Sequence, residues 1–309
     1  MKLVPSNNSG LNKKMDKVRL AEESGKVKKR LGNRALRKLL NNRLSVFGLV
    51  TFIFLVVVCV LAPIIAPYDP LIIDLSSVLQ PPSSEHWLGT DKLGRDILSR
   101  ILYGGQISIL IGFGSAVGSA IIGVILGSYA GYKGGWIDAI ILRISEIFMA
   151  FPQIILVLLL VAFLGQSMMN LIFIFVITGW CGVYRMVRAR MLSIKEEEYV
   201  QALRAFGLND FIICFKHMLP NAIGVVMVAL TLNTAMFILQ EAALSFLGLG
   251  VPFEIATWGN ILNVANDLNV LKENWWIWFP VGIVISLFVL SVNFIGDGLR
   301  DSTDPSQQG

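Results

Sequence analysis

Side chains able to do chemistry are few and scattered along this 309-residue chain. His86 and His217 are its only histidines, and neither sits in a catalytic neighbourhood. Cys59, Cys181 and Cys214 show no spacing of a metal site or a disulfide framework and read as small apolar filler. The pattern G-x-x-x-x-G-K-[ST] is absent, so no stretch cradles nucleotide phosphates as a P-loop does. Two polar features remain inside an otherwise apolar chain. One is Arg143 with Glu146, three apart and able to pair on one helix face. The other is Glu196–Asn221, EEEYVQALRAFGLNDFIICFKHMLPN, the longest polar interruption between the apolar runs. The chemistry these residue types predict is recognition and transmission of movement.

The elements that must position them are membrane helices. The chain is 55% hydrophobic and 15% charged, where soluble domains carry about a quarter charged residues. A helix needs roughly 20 apolar residues to cross the hydrocarbon core, and only helices or closed barrels can satisfy their backbone there. The sequence therefore predicts an all-α, polytopic protein with six transmembrane helices. The spans are expected at 46–66, within 104–132, at about 138–164 and 168–184, from Pro220 to Gln240-Glu241, and at 275–295. Pro63 and Pro67 close the first. That run is too long and too late for a signal peptide and is expected to stay as an anchor.

Residues 1–44 form a basic cytoplasmic tail, of which about 28–44 is expected to lie as an amphipathic helix on an anionic leaflet. Residues 45–103 hold the first span and an extracytoplasmic segment, 104–300 the main transmembrane domain with a cytoplasmic loop at about 190–221, and 301–309 a cytoplasmic tail. In Trp87–Gly105, Thr90 or Asp91 is expected to cap an interfacial helix. In the second span Ser115, Ser119, Gly123, Gly127 and Gly131 recur every four residues, a small-residue stripe that admits another helix closely. Pro152 lies inside the third span, and Trp275, Trp276 and Trp278 open the sixth as an aromatic belt. With both termini inside, 22 of the 26 Lys and Arg fall on the inner side. That asymmetry orients the chain and puts Glu196–Asn221 in the cytoplasm. Topology alone explains the basic tail, so no nucleic-acid partner is expected.

Within that loop Tyr199, Ala202, Leu203 and Phe206 fall at i, i+3, i+4 and i+7, one apolar helical face. Glu196, Glu197 and Glu198 favour a helix N-terminus, and Gly207 stands where a left-handed residue would end the helix. Leu208–Met218 reads as a second short helix, and Pro220 as the opening of the fifth span. From the residues alone, a helix lying on lipid and a helix presented to a partner protein both remain open.

Several motifs resemble those of ABC importer permeases. Gln201-Ala202-Leu203, Gly207, and Leu219-Pro220 follow the spacing of the EAA motif, with Gln201, Leu203 and His217 departing from its usual residues. GTDKLGRDILSRILYGGQISI, EAALSFLGLG followed by WGN, and FPVGIVISLFVLSVNFIGDGLRDSTDP are similar to the C-type permease of the dipeptide, oligopeptide and nickel branch. Gln106 and the segment VPFEIAT depart from that branch. The resemblance covers about residues 45–305.

It implies a type I importer permease fold, a five-helix core plus an N-terminal helix, in the cell membrane. It implies that Tyr199–Gly207 is a coupling helix docking on an ATPase subunit, with Arg204 in the contact. It implies as partners a second homologous permease, two ABC ATPase subunits, an extracytoplasmic substrate-binding protein and membrane lipid. This chain would bind no cofactor and not be an enzyme, with ATP and Mg on the partner ATPases. The implied cargo is peptides, with nickel or another metal chelate as the alternative. A secondary transporter or channel would need no ATPase, and predicts charged or broken helices near the midplane.

Overall fold

The computed structural model describes Leu40 and residues 42–303; the surface helix expected at 28–44 lies mostly outside them. The described residues are helical with no strand beyond an isolated bridge between Thr90 and Asp96. We number the helices α1 (Arg43–Val60), α2 (Ile97–Lys133), α3 (Gly135–Ala150), α4 (Gln153–Leu164), α5 (Met168–Lys195), α6 (Glu198–Ala205), α7 (Leu219–Phe246), α8 (Trp258–Leu262), α9 (Leu268–Glu273) and α10 (Trp275–Thr303). Among the described residues, five helices are long and apolar enough to cross a membrane, and α3 with α4 makes a sixth crossing if the bent pair counts as one.

One end of the bundle gathers Arg43, Lys133, Lys195, α6 and Arg300; the other gathers residues 61–96, the α4–α5 turn and residues 247–274. We call these the α6 end and the far end. The α1 helix packs antiparallel on α10, with Phe52 against Phe288 at 5.4 Å between ring centroids. Asn42 caps α1 by accepting from the Leu44 and Ser45 amides.

Proline has two different outcomes. At Pro152 the third span breaks: the preceding Phe151 is extended (φ −95°, ψ 140°) and α3 and α4 meet at 88°. A proline disfavours the helical region for the residue before it, so the single span expected at 138–164 is two helices. At Pro220 the path stays helical. Ile213–Met218 form a π turn that runs straight into α7, and the Leu219 amide reaches back to the Cys214 carbonyl. The wider turn absorbs the ring and the lost donor that would break an α-helix. Pro220 thus lies inside one continuous helical run, where the sequence predicts a separate helix and a new start.

The small-residue stripe lies at the centre of the bundle. Ser115, Ser119, Gly123, Gly127 and Gly131 are all buried. A Cβ placed on Gly123, Gly127 or Gly131 would come within 2.9, 2.7 and 2.9 Å of the Trp180, Tyr184 and Arg188 carbonyl oxygens of α5. The two backbones touch at one-turn intervals, a contact only glycine permits on the α2 side. Ser119 lies beside Asn233 of α7, 3.5 Å from its Nδ2. Arg188 pairs with Asp138, which ties α3 to the same helix.

At the far end the expected interfacial helix is the first turns of α2 itself. Asp96 is the cap, accepting from the Ser99 amide (2.8 Å) and hydroxyl (2.7 Å). His86 Nδ1 lies 3.0 Å from the same carboxylate. Asp91 instead closes the preceding turn, accepting from the Leu93 and Arg95 amides and pairing with Arg95 Nε at 2.8 Å. Ser99 and Arg100 are as buried as Ile97 and Ile101. GTDKLGRD is therefore a folded turn that launches α2.

The segment 249–274 also packs inward. Trp258 is fully buried, its amide donating to Ser108 Oγ (3.1 Å) and its indole to the Ile101 carbonyl (3.0 Å). Ser108 Oγ donates in turn to Glu241 (3.1 Å), a fully buried carboxylate that also accepts from Ser245 (2.8 Å). These partners lie on α2, 150 residues or more earlier in the chain.

Replacing Gly127 by leucine should lower the melting temperature of the purified protein, because overpacking costs about 1–3 kcal/mol. The same substitution at Gly114, whose added Cβ would meet nothing within 4 Å, should leave it nearly unchanged in the same melting experiment.

Candidate functional site

The α6 helix forms where the sequence predicts a short helix, and the local reasons are visible. Glu197 flanks its start in an extended conformation, Glu198 lies in the first turn and Arg204 in the last. Those charges oppose the helix dipole at both ends. The helix stops at Gly207 (φ 72°). The Gly207 amide donates to the Arg204 carbonyl (2.9 Å) and the Leu208 amide to the Leu203 carbonyl (3.2 Å). This pair of bonds is the Schellman arrangement, which needs a left-handed residue at that point. Leu203 and Leu208 pack on the same apolar cluster beside it.

The orientation of α6 differs from the sequence expectation. Val200 is fully buried and anchors the helix, with Tyr199 and Leu203 half-buried at its sides. Ala202 and Phe206, read with Tyr199 and Leu203 as one apolar face, point outward with Gln201 and Ala205; Phe206 is 81% exposed. Gln201 Nε2 donates to the Glu196 carbonyl (3.2 Å) and so closes the turn that leads in from α5. Val200 could have been found, since Val200 and Leu203 are three apart beside Tyr199. The longer i, i+3, i+4, i+7 pattern hid it.

Side chains bind α6 to two spans. Tyr199 Oη accepts from Asn221 Nδ2 of α7 at 2.8 Å. Burial raises the Tyr199 phenol above its ordinary value, so it stays neutral. On the other side the Arg204 guanidinium lies 4.7 Å from the Tyr132 ring centroid on α2, within cation–π range. Tyr132 donates to Asp210 (2.6 Å), and Lys133 pairs with the same carboxylate at 2.9 Å. Arg204, expected in a partner contact, is exposed and also stacks on Tyr132. Tyr132, Asp210 and Asn221 were not singled out from sequence, because their partners lie on other elements. Leu219 and Pro220 sit where the π turn enters α7, behind the loop. Phe206 and Phe211, 81% and 62% exposed, stand on the outer face of the loop.

The arrangement presents a stopped helix whose free face carries Gln201, Ala202, Ala205 and Phe206 and whose other face is bonded to α2 and α7. Such a site can take a push from a docked surface and pass it to two spans. A family described as the binding-protein-dependent transport system inner membrane component matches residues 123–308. The chain belongs to this family. Residues 31–82 match a second family, the N-terminal transmembrane domain of oligopeptide transport permease C.

Among curated relatives, the dipeptide transport system permease protein DppC of Bacillus subtilis is 41% identical over 271 residues, 88% of this chain and 84% of that protein. The oligopeptide permease OppC of the same organism is 39% identical over 286 residues, 92% of this chain and 93% of that one. A chain of the inward-facing MetNI methionine ABC transporter shares the fold, with a TM-score of 0.54 at 20% identity over 67% of this chain and 98% of that one. The permease family is one of membrane transport components, so the chain is a multi-span permease of the ABC importer type and is itself not an enzyme.

The internal tether has a direct check. Asp210→Ala removes the acceptor shared by Tyr132 and Lys133. It should raise the rate of limited proteolysis within 195–210 several-fold while leaving cleavage at the far end unchanged.

Proposed function

We propose that this permease is one half of the translocation pathway of an ATP-driven importer of di- or oligopeptides. It works with a second, homologous permease, two ATPase subunits and an extracytoplasmic binding protein. The observation that carries the reading is α6: an exposed helix stopped at Gly207, with Ala202 and Phe206 free and its inner face bonded to α2 and α7. The peptide cargo is supported by the names of the relatives, which are dipeptide and oligopeptide permeases at about 40% identity across nearly the whole chain.

In this reading the α6 end faces the cytoplasm. That end holds Arg43, Lys133, Arg190, Lys195, Arg204, Lys216 and Arg300, while the far end holds Lys92, Arg95, Arg100 and Lys272. The excess of basic residues marks the inner side. An ATPase groove receives Gln201, Ala202, Ala205 and Phe206. Nucleotide and Mg belong to the ATPases, where their closure supplies the work. When the ATPases close, α6 is carried with them. Tyr199–Asn221 and Arg204–Tyr132 oblige the adjoining ends of α7 and α2 to follow. A ligand or partner shifts a two-state equilibrium only through contacts that differ between the states, and these two contacts bring the motion into the spans. Hydrolysis then resets the pathway.

The test uses the complete transporter in membrane vesicles. Gly207→Val forces a β-branched residue into the left-handed region, which favours only glycine and a few polar residues, and frees the end of α6. Ala202→Trp blocks the presented face without touching the tether. Both should cut ATP-dependent uptake of an alanine peptide by at least about tenfold. Co-purification of the ATPase should fall with Ala202→Trp. Uptake and ATPase association that survive both changes would sink the coupling role.

A further inference from the structure

We propose that a cavity at the break between α3 and α4 is a contact station for the main chain of a passing peptide. The proposal rests on the peptide reading above. The cavity holds about 360 Å³ and opens between α3, α4, α5 and α7, within the size range of small-molecule sites. Its polar side chains are Gln153 at the start of α4, Thr178 on α5 and Asn233 on α7, and its walls include Met149, Phe151 and Met236. No charged side chain lines it.

The position within the fold is telling. Asn233 lies midway along α7, and Thr178 lies well inside α5. An amide at that depth faces hydrocarbon unless something bonds it, so polar groups inside a membrane mark a pathway by default. Thr178 is satisfied, donating to the Ile174 carbonyl at 2.9 Å. The two amides are not. Among the described residues the Asn233 amide has one polar partner, Ser119 Oγ at 3.5 Å from Nδ2, beyond ordinary hydrogen-bond length. Gln153 has no hydrogen-bond partner among the described residues. Both amides therefore keep donors and acceptors free toward the same space.

That chemistry selects a class of ligand. A carboxamide offers one acceptor and two donors, which complement the N–H and C=O groups of a peptide bond whatever the side chains are. Met149 and Met236 supply flexible, polarizable walls of the kind that accommodate varied apolar groups. The combination binds the repeating part of a peptide and tolerates the variable part.

The experiment uses the complete transporter reconstituted in liposomes with its partner subunits, binding protein and ATP. Labelled trialanine is the probe, and rates are normalised to assembled transporter. Asn233→Ala and Gln153→Ala should each slow uptake by about tenfold, the effect of one lost hydrogen bond. A second readout places a thiol in the cavity. Gly182, which also lines it and has open space before it, is changed to cysteine in a Cys181→Ala background. Trialanine with binding protein and ATP should slow its reaction with a methanethiosulfonate reagent several-fold.

Wild-type rates in both amide variants overturn the proposal whatever the thiol does. Slowed uptake with an unprotected thiol assigns Asn233 and Gln153 to packing and also overturns it. In both cases trialanine uptake by the unmodified transporter leaves the peptide reading standing. If the unmodified transporter takes up neither trialanine nor any peptide of a di- to pentaalanine series, the peptide reading fails and this proposal with it.

Discussion

The backbone contact between α2 and α5 is the constraint on which the other features depend. Gly123, Gly127 and Gly131 let α2 rest on the Trp180, Tyr184 and Arg188 carbonyls, and in a bilayer such close packing replaces the hydrophobic drive of a soluble core. Because α2 is fixed along the half nearest α6, its two ends become reference points. One end begins at the Asp96 cap and its His86 contact. The other carries Tyr132 and Lys133, which hold Asp210 and lie under Arg204. The α5 helix, held on the other side of the seam, leads directly into α6. The presented helix is therefore braced against the most closely packed pair in the bundle.

Two of the prolines inside spans, Pro152 and Pro220, show how context decides the outcome of one residue type. Pro152 has an exposed, extended residue before it, and the chain turns by 88°. Pro220 follows a π turn whose Ile213, Cys214 and Met218 are fully buried. Packing there holds the helix together and moves the disruption into the hydrogen-bond register. The outcome places a discontinuity where a cavity opens and continuity where motion must travel.

Most of the fold was legible in the sequence because its signals are local. Long uncharged runs gave the spans, the stripe of Ser115 to Gly131 gave the seam, and Gly207 gave the end of α6. What was not legible depends on partners far away in the chain. Thr90 and Asp91 are plausible caps by type, and only the folded turn gives the cap to Asp96. Val200 outranks Phe206 as an anchor because the π turn and α7 supply a wall on that side. Arg204 reads as a surface charge, and its stacking on Tyr132 cannot be read from local sequence. Glu241 ends an apolar run in the sequence, yet its hydroxyl partner Ser108 stands 133 residues earlier.

The link from Trp258 through Ser108 to Glu241 also sets an order of assembly. Ser108 is synthesised 133 residues before Glu241 and 150 before the Trp258 amide it accepts from. At roughly 5–20 residues per second, its final partner emerges on the order of 10 s later. A growing chain can therefore seat its first spans while the far end is still incomplete. The link closes only after the segment carrying Trp258 arrives, while α10 is still to be made.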